Sequence, residues 1–197
     1  MAYRLGLTGS VGMGKSTAAR LFAEAGARVW DADRAVAGLY GRGGAAVPEI
    51  GKMAPDAIRD GAVDRAALRR WAMAAPGRFD MLEEVVHPLV AADRAAFATA
   101  HDGEDVLVFD IPLLFESGGE TGMNGVAVVS VPEDVQRRRV LARPGIDEAV
   151  FERILARQLP DAEKRRRADW VIDGRTLAAA RTDVERIMSE IAEGMNA

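Results

Sequence analysis

The sequence predicts a three-layer α/β fold in which a five-stranded parallel sheet carries helices on both faces. Three features carry this prediction: nearly continuous apolar runs, helical patterns between them, and a glycine-rich loop after the first run. Continuous apolar runs are typical of parallel strands, because such strands are covered on both faces. The predicted strands are Tyr3–Thr8, Ala27–Trp30, Val106–Asp110, Val126–Val131 and Trp170–Ile172.

The glycine-rich loop after the first strand matches a phosphate-binding pattern. Residues 9–16 read Gly-Ser-Val-Gly-Met-Gly-Lys-Ser, which fits G-x-x-x-x-G-K-[ST] without exception. Glycine lets the backbone turn N–H groups toward phosphate oxygens, and the helix that follows presents its positive end to them. This loop is a P-loop, so the fold class is that of a P-loop NTPase. The predicted nucleotide contacts are Gly9, Val11, Gly12, Met13, Gly14, Lys15, Ser16 and Thr17.

Two side chains of the P-loop have predicted roles of their own. Lys15 is expected to bridge the β- and γ-phosphates of ATP, and the Ser16 hydroxyl is expected to bind Mg²⁺. The alternative is a chance match, but lysine is scarce in this chain, where arginine carries most of the positive charge. The first helix is predicted to begin at Lys15 and to end at Gly26 as its C-cap.

Two long segments lie outside the predicted strands. Residues 34–101 contain no convincing strand, and their helical spacing predicts a helical insert between the second and third strands. The nucleotide-binding core then comprises residues 1–33 and 102–197. Arginines crowd residues 137–143 and 165–167 of the core. A final helix is predicted over Thr176–Glu193.

Composition and charge exclude several classes of protein. Hydrophobic residues make up 49% of the chain and charged residues 28%, which is an ordinary globular balance. The chain has no cysteine, which excludes disulfides, thiolate catalysis and cysteine-bound zinc, and which suits a cytoplasmic location. The net charge of −4 disfavours broad nucleic-acid binding. No apolar run is long enough to predict a membrane span.

Among P-loop proteins, the sequence favours a small-molecule kinase over a GTPase. A GTPase needs Asn-Lys-x-Asp to recognise guanine, but neither Asn124 nor Asn196 precedes a lysine. The helical insert and the arginine-rich segment have the outline of nucleoside-monophosphate-type kinases, in which the insert holds the acceptor and the arginines close over ATP. This resemblance implies that residues 34–101 form an acceptor-binding insert and that residues 134–168 form a lid. Two alternatives stay open: a P-loop kinase of nucleoside-monophosphate or gluconate type, and a non-catalytic ATP-dependent switch.

Carboxylates follow two of the predicted strands. Asp31 and Asp33 come directly after the second strand, and Asp110 ends the third. Open α/β sheets bind ligands at the carboxyl ends of their strands, so Asp33 could accept a proton from an acceptor hydroxyl. The alternative is that Asp31 or Asp33 caps the next helix. Asp110 could hold Mg²⁺ through water, or it could hydrogen-bond to Ser16.

Motifs spread over nearly the whole chain resemble those of the dephospho-coenzyme A kinase family. That family transfers the γ-phosphate of ATP to the ribose 3′-hydroxyl of dephospho-coenzyme A, the last step of coenzyme A synthesis. The resemblance therefore implies this reaction, with ATP and Mg²⁺ as cofactors and dephospho-coenzyme A as the small-molecule partner. Besides the P-loop, the shared motifs are Asp31-Ala32-Asp33, Val63-Asp64-Arg65, His87-Pro88, Pro112-Leu113-Leu114-Phe115-Glu116, Gln136-x-x-Arg139-x-x-x-Arg143, Gln158 and Ala168-Asp169-x-Val171-Ile172.

The resemblance also implies roles for single residues in catalysis. Asp33 resembles the base for the 3′-hydroxyl, and Lys15 and Ser16 keep their P-loop roles. Arg139 and Arg143 match the lid arginines that neutralise the transferring phosphate, which is reasonable because charge spreads over its oxygens during transfer. The other arginines of this run are expected to form a solvated helix face.

Further residues fall where the family contacts its substrate. These are Thr8, Arg65, His87 and Leu113. Simpler structural roles stay open for three residues: His87 as a helix-end residue, Arg65 as an exposed helix charge, and Glu116 as the partner of an arginine. Met13 departs from the family pattern and is expected to crowd the nucleotide. A monomer is favoured, although the sequence leaves the oligomeric state open.

Overall fold

The structure is a computed structural model that describes residues 2–195. Strands and helices alternate along most of the chain. The strands are β1 (Tyr3–Thr8), β2 (Arg28–Asp31), β3 (Ile58–Arg59), β4 (Ala62–Val63), β5 (Val106–Asp110), β6 (Gly125–Ser130) and β7 (Trp170–Asp173). The helices are α1 (Lys15–Glu24), α2 (Ala32–Tyr40), α3 (Val47–Met53), α4 (Arg65–Met73), α5 (Arg78–Ala100), α6 (Glu133–Leu141), α7 (Glu148–Leu155), α8 (Asp161–Arg167) and α9 (Leu177–Met195).

The described chain divides into two compact units. One contains the described residues up to Trp30 and from His101 onward, and the other is Asp31–Ala100. The insert expected from the sequence, residues 34–101, differs from the second unit by a few residues at its start and one at its end.

A five-stranded parallel sheet, in the order β2-β5-β1-β6-β7, forms the centre of the first unit. Strand β1 lies between β5 and β6, so that Leu5 pairs with Val108 on one side and Gly125 on the other. All five predicted strands are present, and β1 and β5 have the predicted bounds. The predicted fold class is therefore confirmed.

The core of this unit lies on both faces of the sheet. Successive residues of a strand point to opposite faces, so each strand contributes to two layers. Helices α1 and α9 cover one face, where Phe22 and Ile187 pack with Val129 in a continuous buried cluster. On the other face Val126 packs with Leu114 and with residues near the end of α8. The P-loop joins β1 to α1 at the carboxyl end of the sheet.

The second unit is mainly helical and has a core of its own, built around Ile50 and Leu68. It also contains the antiparallel hairpin β3-β4, so the prediction that this stretch has no strand was wrong. The hairpin turns at Asp60 and Gly61, whose φ angles are 50° and 75°. Positive φ at both central residues is what a type I′ hairpin turn requires, and Asp-Gly is one of its usual sequences.

Helix α5 runs through Pro88, which rules out the alternative that His87 is a helix-end residue. A proline inside a helix removes one backbone hydrogen bond and costs about 3 kcal/mol. Apolar residues on both sides of the proline, Val86 and Leu89 among them, are buried or packed against other residues of this unit. We infer that this packing offsets the cost. Within residues 2–195, no helix is long and apolar enough to cross a membrane.

Candidate active site

The P-loop follows a path that depends on its glycines. Gly9, Gly12 and Gly14 have φ angles of 156°, 82° and 102°, which residues with a Cβ rarely adopt. Gly14 is the N-cap of α1, and no side chain of the described residues caps that helix. Its first N–H groups therefore have no side-chain acceptor, which is the arrangement that attracts a phosphate.

The ammonium group of Lys15 forms an ion pair with the carboxylate of Asp110. The register explains the contact, because Asp110 pairs with Leu7 on the neighbouring strand, just before the P-loop begins. The Asp110 side chain is 4% exposed and that of Lys15 is 15% exposed. A buried carboxylate needs a compensating charge, so Lys15 stabilises Asp110 as well as facing the phosphate site. Ser16, in the first turn of α1, is exposed.

Met13 does not have the expected orientation. Its side chain is 1% exposed and belongs to the core cluster beneath α1 and α9. Its sulfur accepts a hydrogen bond from the Val131 N–H at 3.2 Å. The expectation that Met13 crowds the nucleotide was therefore wrong, because the side chain points into the protein and leaves only its backbone in the loop.

A cavity of about 450 Å³ opens beside the P-loop. This volume is within the usual range for small-molecule sites. Four arginines contribute to its wall, which makes it suited to an anionic ligand. The lining residues are Gly12, Gly14, Thr17, Arg20, Arg139, Arg143, Gly174, Arg175, Thr176, Leu177 and Ala180. The structure thus brings Arg139 and Arg143 together with the P-loop.

The segment after β7 is a part of the cavity that the sequence reasoning missed. Arg139 donates a hydrogen bond from Nη2 to the carbonyl of Arg175 at 3.0 Å. Gly174 lies against the P-loop so closely that an added Cβ would be 2.1 Å from the Met13 carbonyl oxygen. The glycine that directly follows the last strand was the available signal, since a close approach of two backbones requires glycine.

Thr8 and Leu113 lie at the carboxyl ends of neighbouring strands. Thr8 is fully buried, and its hydroxyl donates to the Pro112 carbonyl at 3.1 Å. This bond ties the end of β1 to the segment that follows β5. The next residue, Leu113, is 42% exposed, which is high for a leucine at this position. Thr8 therefore has its partner within the protein, and Leu113 is exposed at the same end of the sheet.

Asp31 and Asp33 have different surroundings in the second unit. Asp31 caps α2, because its Oδ1 accepts from the Arg34 N–H at 3.0 Å. Asp33 lies in the first turn of α2 and is exposed, and no described residue hydrogen-bonds or ion-pairs with its carboxylate. The capping role thus falls to Asp31, which leaves Asp33 available for another role.

The two remaining residues of the second unit with predicted substrate contacts are Arg65 and His87. The guanidinium of Arg65 lies over the ring of Tyr40, 5.6 Å from its centre. Burial raises the pKa of Tyr40, and the charge of Arg65 acts against that rise. His87 is exposed on α5. The position of Arg65 over Tyr40 and the exposure of His87 are both compatible with a bound ligand, but neither requires one.

Glu116 is the structural partner of a basic residue, but that residue is Lys164 and not an arginine, as the alternative had it. Its Oε1 lies 2.8 Å from Nζ of Lys164, which is wholly buried, and also accepts from the Leu159 N–H at 2.8 Å. The two groups form a close ion pair. Burial acts to raise the pKa of Glu116, but Lys164 and the Leu159 N–H outweigh it and hold that pKa below its ordinary value.

These motifs and this fold match a known family over most of the chain. The family model described as dephospho-CoA kinase matches residues 3–179. The chain belongs to the dephospho-CoA kinase family. A dephospho-CoA kinase from Cereibacter sphaeroides is 53% identical over 195 residues, which cover 99% of this chain and 98% of that protein.

Solved structures agree with this dephospho-CoA kinase fold. TT1252 from Thermus thermophilus is 31% identical, with a TM-score of 0.82 over 96% of this chain and 97% of that chain. A dephospho-CoA kinase from Campylobacter jejuni is 20% identical, with a TM-score of 0.67 over 96% and 97% of the two chains, which is a similarity of fold alone. Membership of the dephospho-CoA kinase family makes the chain an ATP-dependent kinase and confirms the resemblance of its motifs. It disfavours both the non-catalytic switch and a kinase of another family.

Proposed function

We propose that the chain transfers the γ-phosphate of ATP to the ribose 3′-hydroxyl of dephospho-CoA. The observation that carries this proposal is an intact P-loop beside an arginine-lined cavity, in a chain of the dephospho-CoA kinase family. The P-loop and the cavity support ATP as the donor. The family supports dephospho-CoA as the acceptor, because that is the molecule its name specifies.

On the donor side, Lys15, Arg139 and Arg143 are proposed to neutralise the phosphates of ATP. Negative charge spreads over the oxygens of the transferring phosphate, and fixed cations stabilise that state. Arg139 belongs to α6 and Arg143 follows it, and both line the cavity that includes Gly12 and Gly14. Residues 134–168 are proposed to act as a lid that excludes water during transfer.

Ser16 and Asp110 are proposed to hold Mg²⁺ with the phosphates. Both offer oxygen, which Mg²⁺ prefers, and Mg²⁺ is commonly bound by one or two protein groups together with substrate phosphates. Ser16 is exposed at the start of α1, and Asp110 keeps its carboxylate next to Lys15. Both residues therefore fit the ion. When bound, Mg²⁺ would neutralise charge on the phosphate oxygens.

On the acceptor side, Asp33 is proposed to accept the proton of the 3′-hydroxyl as the phosphate is transferred. Its exposed carboxylate, free of the capping role that Asp31 takes, supports this role. The helical insert of residues 34–101 is proposed to bind the rest of the acceptor. The predicted substrate contacts within the insert remain Arg65 and His87. Those outside it remain Thr8 and Leu113.

The proposal is tested by offering a panel of acceptors with Mg-ATP. We expect release of ADP and formation of a 3′-phosphorylated product with dephospho-CoA, and little with shikimate, gluconate or nucleoside monophosphates. The product is identified by mass spectrometry. ADP release that does not rise above the acceptor-free background when dephospho-CoA is added would contradict the proposal.

A monomer remains the proposed oligomeric state, and the cytoplasm the proposed location. The monomer is tested by light scattering on the eluting protein, where the expected mass is 21.1 kDa. A mass of about twice that value would contradict it.

A further inference from the structure

Both backbone groups of Val11, inside the P-loop, are occupied by side chains from outside the loop. The Val11 N–H donates to Oε1 of Gln158 at 3.2 Å, and the Val11 carbonyl accepts from Nε2 of Gln136 at 2.8 Å. Gln136 and Gln158 are the only glutamines in the sequence. Gln136 donates from its amide nitrogen to the Val11 carbonyl, and Gln158 accepts with its amide oxygen from the Val11 N–H.

Gln136 is fixed because α6 packs directly on the P-loop. Gln136 is 5% exposed, and Val140, one turn further along α6, is fully buried. A Cβ added to Gly12 would lie 2.5 Å from Cγ2 of Val140 and 3.2 Å from the Gln136 carbonyl oxygen. The loop and the helix are therefore in close contact at Gly12, which fixes the backbone that carries Gln136.

Gln158 is fixed by the residue that follows it. It lies in the short segment between α7 and α8, where the Leu159 N–H donates to Glu116 at 2.8 Å. Glu116 in turn pairs with the wholly buried Lys164 of α8. This segment is thus held by Glu116 while the side chain of Gln158 reaches the P-loop.

We propose that Gln136 and Gln158 are positioning residues that hold Val11, and with it the P-loop, in its phosphate-binding conformation before ATP arrives. The proposal rests on the proposed function only in that the loop binds ATP. A glycine-rich loop has many accessible conformations, and ordering it during binding would weaken affinity. Two hydrogen bonds to one residue order the loop in advance. The Val11 N–H is occupied by Gln158, so the phosphates bind N–H groups later in the loop.

The contacts can be observed directly, because the two glutamines give two side-chain amide groups with one ¹⁵N resonance each. We label glutamine selectively with ¹⁵N and measure hydrogen exchange in the ligand-free protein by NMR, assigning the signals with Gln136→Met. The Gln136 amide is expected to exchange more slowly than that of Gln158, because its Nε2 donates to Val11 while the Val11 contact of Gln158 uses its oxygen. Equally fast exchange of both signals would overturn the proposal.

The effect on ATP is measured with Gln136→Met and Gln158→Met, which keep side-chain length and remove one hydrogen bond each. We expect each to weaken binding of a non-hydrolysable ATP analogue about fivefold and to raise the KM for ATP similarly. The kcat should stay within about twofold, because the reacting groups are untouched. A merely structural role would lower the folded fraction without separating KM from kcat.

Two further variants test the direction of each hydrogen bond. Gln158→Glu keeps an acceptor for the Val11 N–H, so the Val11 backbone amide, observed with uniform ¹⁵N labelling, should exchange as slowly as in the native protein. Gln136→Glu cannot donate when ionised, so it should behave at least as poorly as Gln136→Met. If the Val11 amide exchanges as fast in Gln158→Glu as in Gln158→Met, the proposed acceptor role of Gln158 is overturned.

Two binding results would also overturn the proposal. One is unchanged analogue affinity in both methionine variants. The other is tighter binding in Gln158→Met, which would mean that Gln158 competes with phosphate for the Val11 N–H. Failure of the proposed function is distinguishable, because exchange and analogue binding do not depend on the acceptor. If Gln136→Met does not fold, analogue binding by Gln158→Met still tests the proposal, because Gln158 is only half-buried.

Discussion

At the scale of single residues, Lys15 and Asp110 are paired before any phosphate is bound. The pair keeps a buried carboxylate neutralised, but it also sets Asp110 in competition with ATP for the Lys15 ammonium. When Lys15 binds phosphate, Mg²⁺ would replace it as the counter-charge of Asp110. The affinity for ATP should therefore depend on Mg²⁺ in a way that requires the Asp110 carboxylate.

We predict that Asp110→Asn reduces the Mg²⁺ dependence of ATP binding. Without Mg²⁺, the variant should bind ATP at least as tightly as the native protein, because Lys15 is no longer held by a carboxylate. With Mg²⁺, it should bind about tenfold more weakly, because one ligand of the ion has lost its charge. Calorimetric titration with and without chelator measures both values. An equal loss of affinity in the two conditions would contradict the proposed metal role.

Substitution of Asp33, the proposed base, is expected to separate binding from chemistry. Asp33→Asn keeps the size of the side chain and removes the base, so kcat should fall by about two or more orders of magnitude. ATP affinity should be unchanged. The matched control is Asp31→Asn, which preserves a capping oxygen for the Arg34 N–H and should retain most of the activity. A loss of ATP binding in Asp33→Asn would indicate a structural role.

The pair formed by Glu116 and Lys164 predicts a pH dependence of stability. The folded protein lowers the pKa of Glu116 below the ordinary value of 4.5, so its stabilisation is fully present above that value. It is lost as the pH falls through the lower pKa of the folded state. Glu116→Gln should cost about 3 kcal/mol of unfolding free energy at pH 7, because Lys164 loses its counter-charge.

This difference between native protein and Glu116→Gln should narrow as the pH falls below 4.5. Urea unfolding of both proteins between neutral pH and that range provides the measurement. Other carboxylates titrate in both proteins, so their effects cancel in the difference. The glutamine still accepts from the Leu159 N–H, which isolates the charge. A difference that stays constant with pH would contradict the assignment.

At the scale of elements, the hairpin β3-β4 depends on its turn. Gly61 has a φ of 75°, and an added Cβ would meet only Arg42 Cγ at 3.7 Å, an ordinary contact. Gly61→Ala should therefore destabilise through backbone strain alone, by about 1–2 kcal/mol. In contrast, Gly38→Ala should stabilise by up to about 1 kcal/mol, because Gly38 lies in α2 with open space around it. Chemical denaturation measures both, and effects of the same sign would contradict the argument.

Elements with a long apolar run could be predicted from the sequence, and shorter ones could not. Strands β1 and β5 were predicted with the observed bounds, because burial on both faces leaves a continuous run. Strands β3 and β4 have two residues each, which is too short for any periodicity. Their signal was the turn sequence Asp60-Gly61, which the helical spacing around it obscured.

The same distinction holds for the candidate site. The P-loop is a contiguous pattern, so its course and its lysine could be predicted from local sequence. The partner of Lys15 depends on the register of two strands that are distant in sequence, and the partner of Glu116 lies on α8. Such contacts follow from tertiary packing, which no local pattern encodes. Gln136 and Gln158 were identified as parts of motifs, but their shared contact with Val11 required the structure.

At the scale of the whole molecule, the two units are expected to respond to different ligands. The P-loop and the arginine-lined cavity belong to the unit that contains the sheet, and Asp33, Arg65 and His87 belong to the unit of residues 31–100. A ligand stabilises the part of a protein that it binds, by about 2.7 kcal/mol at a hundredfold excess over its Kd. Each ligand should therefore slow hydrogen exchange chiefly in its own unit.

We predict that a non-hydrolysable ATP analogue protects peptides of the P-loop and of residues 174–177, and that dephospho-CoA protects peptides within residues 31–100. Hydrogen exchange followed by mass spectrometry measures both patterns. Lys15→Met serves as the control, because it should abolish the first pattern and keep the second. Protection of residues 31–100 by the analogue alone, with no additional effect of dephospho-CoA, would contradict the acceptor-binding role of the insert. The second unit has a core of its own, the buried cluster around Ile50 and Leu68, so its exchange is expected to respond separately from that of the first unit.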